Sequence, residues 1–256
     1  MTFTLIAFFV FFDLINISNR YLDRDLFLKP SRINKFYDVN NADLEILKDS
    51  SYFRVFQPSS TMQNARPSFF HNSVGGYHGA KPRRLEQFYK LFLKSKKTSL
   101  LDILNVKYVI EEKDGKANAI ENPNNLGIAW FTEKIIFEES PDSVYMDLLK
   151  FNLKEMAIIE SFRKDSINFS NEKRISQIAL LKNKPQEKIY SIESNKPGFV
   201  VFSEMFYPGW RAEINNEKSE IYRVDFILRG LFVPKGNNKI KFYFEPNPIK
   251  HGSFIQ

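Results

Sequence analysis

Two of the three histidines, three of the ten glycines and three basic residues fall within fourteen positions, HNSVGGYHGAKPRR, residues 71–84. Glycine accepts positive φ and close backbone approach, so Gly75, Gly76 and Gly79 could wrap main chain around a small group. His71, Tyr77, His78, Lys81, Arg83 and Arg84 surround them with donors and charge. Arginine grips phosphate or carboxylate through two parallel hydrogen bonds. A helix opening near Pro82, where a first turn tolerates proline, would add free N–H groups aimed at an anion. These residues, with His71, Gly75 and Gly76 as the backbone end, form a candidate site for an anionic or sugar-phosphate ligand. A second reading stands beside it. The glycines let a loop pack tightly, and the histidines satisfy backbone groups.

Tyr207, Trp210 and Arg211 lie in the turn FYPGWRAEI. Aromatic rings next to an arginine can hold a sugar ring, or can simply pack the end of a β-sandwich. No metal site is expected, because His71 and His78 have no carboxylate near them in sequence. No cofactor is called for. There is no GxSxG elbow and no Ser–His–Asp order, and the glycine spacing does not match a nucleotide P-loop. Glu111-Glu112 and Glu138-Glu139 are adjacent pairs whose side chains would point to opposite faces of a strand. No catalytic residue is therefore assigned. The absence of cysteine excludes disulfides, thiolate metal sites and a cysteine nucleophile.

Charge and apolar runs set the surroundings of these candidates. The net charge of +7 is concentrated between Lys81 and Lys97, with seven basic residues against one acidic. Anionic lipid or a phosphorylated small molecule could use that excess, and so could solvent alone. No nucleic-acid recognition motif accompanies it, so nucleic acid is not an expected partner. Residues 3–12, FTLIAFFVFF, are uncharged, but a membrane crossing needs about 20 residues. No basic stretch precedes the run and no cleavage signal follows it. Residues 1–19 are read as the end of a transmembrane helix whose first part is missing.

The spacing of Leu85, Phe88, Tyr89 and Phe92 predicts an amphipathic helix after Pro82. Short helices are expected over 42–49, around Leu100–Leu104 and from Pro141 to Lys150. Strands are expected at 51–57, at 107–112 and within 129–140, and residues 58–80 read as loop. From about residue 173, seven short apolar or alternating runs are separated by Asn, Gly and Pro turns, the pattern of an antiparallel sandwich. The fold class is therefore α+β. A mixed domain over 20–167 is followed by a small β-sandwich over 168–256.

Several segments resemble, in order, YfhO-type bacterial membrane proteins. They are DLINISNRYLDRDLFLKP (13–30), SYFRVFQ (51–57), NARPSFFHNSVGGYHGAKPRRLEQF (64–88), LDILNVKYVI (101–110), NPNNLGIAWF (122–131) and the run from Val200 to Pro246. Asn215-Asn216 stands where that family often has Asp-Gly. The resemblance implies an extracytoplasmic domain of the bacterial cytoplasmic membrane, cut between two spans. The parent would be a membrane glycosyltransferase-like protein whose catalytic loop lies in a membrane region this chain lacks. The implied partners are the bilayer, through flanking spans, and a lipid-linked sugar or cell-surface glycan. The domain would assist transfer or export. A non-catalytic carbohydrate-binding or structural module is the alternative.

Overall fold

The computed structural model describes residues 2–22, 27, 29–30, 37–58, 62–161, 167–168 and 173–246. The chain divides into two compact units, residues 1–40 and 41–256. In the first, α1 (Thr2–Tyr21) is a continuous helix of 20 residues with none buried. At 1.5 Å per residue it is about 30 Å long, the thickness of a hydrocarbon core. Among the described residues it is the one helix long and apolar enough to cross a membrane, by length and composition. The apolar run expected to stop at Phe12 continues as helix through Asp13. Asn16 donates its side-chain N–H to the Phe12 carbonyl at 2.9 Å, so this polar residue bonds back into the helix rather than ending it.

The second unit is α+β with mostly antiparallel sheets. Strand β1 (Arg54–Phe56) lies parallel to β2 (Val106–Lys113), and β2 turns through Asp114-Gly115 into β3 (Lys116–Glu121). Helix α2 (Asn41–Ile46) covers this three-stranded sheet with Ala42 and Ile46, against Phe53, Val55 and Ile110. Helix α3 (Arg66–Phe70) interrupts the stretch expected to be loop. The amphipathic prediction is met by α4 (Arg83–Ser95), which buries Phe88, Tyr89, Leu91 and Phe92. Two short helices follow, α5 (Ser99–Asp102) and α6 (Pro141–Asp147).

A seven-stranded sheet forms the middle layer. Its strands are β4 (Ala129–Thr132), β5 (Lys134–Glu138), β6 (Met156–Glu160), β7 (Ile167–Asn168), β10 (Gly198–Met205), β13 (Tyr222–Val224) and β14 (Leu228–Val233), in the spatial order β4-β10-β14-β13-β6-β5-β7. The third layer is antiparallel, ordered β12-β11-β15-β9-β8. It comprises β8 (Ser176–Lys184), β9 (Glu187–Ser194), β11 (Trp210–Ile214), β12 (Glu217–Ser219) and β15 (Gly236–Phe244).

Strand β10 shows how the layers stack. Phe199 and Val201 join the core beneath α4 and α5, whereas Val200 and Phe202 join the core against Tyr190, Ile192, Ile240 and Phe242. Both faces of the strand are covered, so it reads as an unbroken apolar run instead of an alternating one. Residue 168 does not divide the sheets. The middle layer takes β4–β6 from before it, β7 at it, and β10, β13 and β14 from after it. Of the three expected sandwich strands in this layer, β10 pairs with β4 and β13 with β6 from the earlier half, and β14 lies between them. Residues 162–166 and 169–172, beside that boundary, lie outside the described residues, as do parts of the 13–30 segment and the tail beyond Pro246.

Candidate functional site

The 71–84 segment is held largely by its own protein. Val55 N–H donates to the Asn72 carbonyl at 2.7 Å and Val74 N–H to the Val55 carbonyl at 3.1 Å, which lays residues 72–74 along β1. Gly76 adopts φ +128°, and its N–H donates to the Met62 carbonyl at 2.9 Å. A Cβ there would sit 3.2 Å from Ser68 Oγ, so the glycine serves a close turn. Gly75 is equally tight against the Met62 carbonyl, while Gly79 has open space. His71 Nε2 lies 3.0 Å from Asp43 Oδ1, and Arg66 Nη2 donates to Asp43 Oδ2 at 2.6 Å. Asp43 is fully buried, so this cluster ties α2 to α3, and His71 is engaged in it while lining a cleft of about 340 Å³.

The remaining candidates diverge. Arg84 makes a two-pronged pair with Glu160 on β6, at 2.5 and 3.1 Å, and lies over the Phe226 ring. The guanidinium holds the Glu160 carboxyl below its usual range. Tyr77 and Arg83 are exposed. His78 and Lys81 line a cleft of about 480 Å³ with Glu86, Tyr89 and Lys90. There Lys81 sits over the Tyr89 ring, and Lys90 pairs with Glu86 at 2.8 Å. Burial pushes the Tyr89 phenol up to about 12, and its hydroxyl donates to the Val74 carbonyl. Lys97, the last of the basic run, donates to the Leu149 carbonyl at 2.8 Å. Arg84 and Lys97 are thus used inside the fold while Arg83, Lys90, Lys94 and Lys96 are exposed, and the eight-residue site does not assemble as one pocket.

A more coherent site forms at one end of the sandwich. It starts from Tyr207-Pro208-Gly209-Trp210, with proline second and glycine third, as a tight turn requires. Gly209 has φ +101°, and a Cβ on it would come 2.9 Å from the Phe244 ring. Trp210 N–H reaches the Tyr207 carbonyl at 3.3 Å, and Glu245 N–H the Gly209 carbonyl at 2.7 Å. The turn therefore clamps the end of β15. Tyr207 and Trp210 lie 6.4 and 5.5 Å, centroid to centroid, from Phe244. Tyr207 remains half exposed, at 48%.

The floor is polar, and a β-bulge places it. Phe202 pairs with Arg229, but the next pair is Met205 with Leu228, so Ser203 and Glu204 are extra residues on β10. Bulges re-aim side chains and gather at sites. The Ser203 backbone is satisfied: its N–H donates to the Ile128 carbonyl at 3.0 Å, and Arg54 donates to its carbonyl at 2.6 Å. Glu204 Oε1 accepts from Arg54 at 3.1 Å and lies 3.3 Å from Lys188 Nζ. Its other oxygen is 3.9 Å from Arg229, beyond hydrogen-bonding reach.

Arg229 is only 1% exposed, yet it lines this cleft of about 280 Å³ with Pro185, Glu204, Met205, Tyr207, Trp210 and Phe244. Its guanidinium lies over the rings of Phe242 and Trp210, at 4.1 and 4.5 Å from their centroids. None of its three nitrogens has a hydrogen-bond partner in the protein. Burial lowers its pKa from the usual range, opposed by Glu204 and the neighbouring Tyr190 phenol. Burial raises Tyr190 in turn.

The structure brings Tyr207 and Trp210 together as the sequence suggested but leaves Arg211 out. Arg211 follows Trp210 on the same strand and points to the other face, where it is exposed. Arg229 takes the place expected of it. No cluster of residues suited to a metal ion occurs among the described residues. Comparison with protein families, curated proteins and solved structures finds no match, so the likeness to YfhO-type proteins rests on the quoted segments.

Proposed function

We propose that this chain is the extracytoplasmic, ligand-holding part of a bacterial membrane protein that handles lipid-linked sugars or cell-surface glycans. The observation that carries the reading is the cleft at the sandwich end. A half-exposed tyrosine and a phenylalanine offer ring faces for a sugar, and polar groups stand at the floor. Sites of this kind combine apolar walls with a few placed polar groups. Its volume is near the small end of ligand pockets, roughly 300–1,000 Å³, which suits one sugar unit rather than a chain. The apolar, wholly unburied helix α1 supports attachment to a bilayer.

The role is binding rather than bond cleavage. Glycoside chemistry uses two carboxyl groups facing the bond, whereas this cleft presents Glu204 alone among its lining residues, already engaged by Arg54 and Lys188. That favours the carbohydrate-binding form of the proposal, in which the domain presents a ligand to chemistry carried out elsewhere.

The test is binding of a monosaccharide and glycan panel by the full chain in lipid nanodiscs, followed by calorimetry. Tyr207→Ala should weaken binding by about tenfold, roughly the 1.4 kcal/mol of one stacked ring, with the melting temperature unchanged. Absence of any sugar binding by the folded chain would remove the proposal.

A further inference from the structure

The charges under the cleft do not balance. Arg54, Lys188 and Arg229 converge on the single carboxylate of Glu204, at 3.1, 3.3 and 3.9 Å. With all four ionised, the cluster carries a formal excess of two positive charges. The cations are not equally provided for. Arg54 also donates to the Leu104 and Ser203 carbonyls, and Lys188 donates to Asn183 Oδ1 at 2.5 Å. Arg229 has ring faces against it, with the Tyr190 hydroxyl beside it and the Glu204 carboxylate 3.9 Å away, and none of its N–H groups makes a hydrogen bond of normal geometry. An aromatic face satisfies the charge in part but cannot accept the in-plane donors. Burying a guanidinium without hydrogen-bonding partners is costly, and apolar packing alone would favour leucine or methionine at this place. The donor edge is matched best by a flat or tetrahedral anion, since arginine pairs bidentately with carboxylate and phosphate.

Resting on the sugar-cleft reading above, we propose that the ligand is an acidic sugar, one bearing a carboxylate or a phosphate. Its negative group meets the N–H edge of Arg229 at the floor of the cleft. Its ring lies toward Tyr207 and Phe244 at the mouth. Trp210 acts as a positioning residue, holding the guanidinium in place through its ring face. Glu204 keeps Arg54 and Lys188 turned away from the ligand, so that Arg229 alone receives the charge.

The decisive measurement is calorimetric titration of the full chain in nanodiscs with three sets of probes. The first is glucose, galactose and mannose. The second is the uronic acids of the same sugars, and the third their 1-phosphates, with inorganic phosphate and acetate as ring-free anions. At least one acidic member should bind about tenfold or more tightly than its neutral parent. Whether the uronate or the phosphate set shows the preference distinguishes the two sources of charge. Arg229→Gln should reduce the acid-to-neutral ratio to about one.

If Arg229→Gln fails to fold, Glu204→Gln decides. It removes the one negative charge facing Arg229, so the acid-to-neutral ratio should rise severalfold; a constant or smaller ratio overturns the proposal. Equal binding of neutral and acidic sugars overturns it while leaving the sugar cleft standing. Equal affinity for inorganic phosphate and a sugar phosphate overturns it too, because the ring then contributes nothing. If no sugar binds at all, neutral or acidic, the sugar-cleft reading falls and takes this inference with it.

Discussion

At the scale of single residues, Asp225 makes the clearest quantitative test. It is fully buried at the turn between β13 and β14, with φ +47°. Its Oδ1 accepts the Ile158 N–H at 3.0 Å, while Oδ2 has no partner. Burial pushes the carboxyl up from 3.8 to about 8, so the folded state holds a proton that the unfolded state releases. The resulting stability is complete below about pH 4 and is lost as the pH rises to about 8. An asparagine in its place could keep the acceptor and tolerate the left-handed backbone, with no proton to lose. Asp225→Asn should therefore match the parent near pH 4 and exceed it at pH 8 by about 1–4 kcal/mol. Denaturant unfolding at pH 4, 6 and 8 measures the difference, and two parallel profiles would show that Asp225 does not control it. Arg229 and Glu204 carry the same lesson for reading sequence. Each stands inside an apolar strand, FILRGLFV and GFVVFSEM, and a charge in such a run signals a buried polar site. Their meeting was not legible, because it depends on a two-residue bulge that no periodicity announces.

At the scale of elements, α4 was readable and its docking was only partly so. Leu85, Phe88, Tyr89 and Phe92 mark the buried stripe, and Arg84 sits one turn before Phe88, at the edge of that stripe. Arg83 falls away from it. The pattern thus separates two adjacent arginines, but Glu160, the partner, comes from a strand 76 residues later. Arg84→Gln should cost about 1–2 kcal/mol, since it removes a partly screened charge-assisted pair. Arg83→Gln should stay within about 0.5 kcal/mol of the parent. Melting curves of the two variants compare them directly, and an equal loss in both would refute the assignment of α4 docking to Arg84. Helix α3 went unread for a different reason. Five residues, RPSFF, make barely more than one turn, too little to display a period.

At the scale of the whole molecule, the question is where the chain can be cut. The composition change near residue 173 is genuine, since every helix or strand described beyond it is a strand. Strand content does not define a folding unit, because the middle sheet is shared. Phe199 and Val201 on β10 pack into a core that also needs Phe88, Leu100 and Ile135. Strand β10 pairs along β4, and Val224 of β13 pairs with Ile159 of β6. Residues 168–256 alone would expose one face of β10 and β14 and leave the outer edge of β10 unpaired, a template for aggregation. Among the described residues, by contrast, the three hydrophobic cores are built from residues at or beyond Ala42. Deleting residues 1–40 should therefore leave a chain that stays soluble without detergent and melts in one cooperative step. The 168–256 piece should show neither a cooperative melt nor a dispersed amide spectrum. Making both pieces side by side tests the shared sheet: a cooperative transition in 168–256 would mean that β4–β7 add strands to a sandwich that is already stable without them.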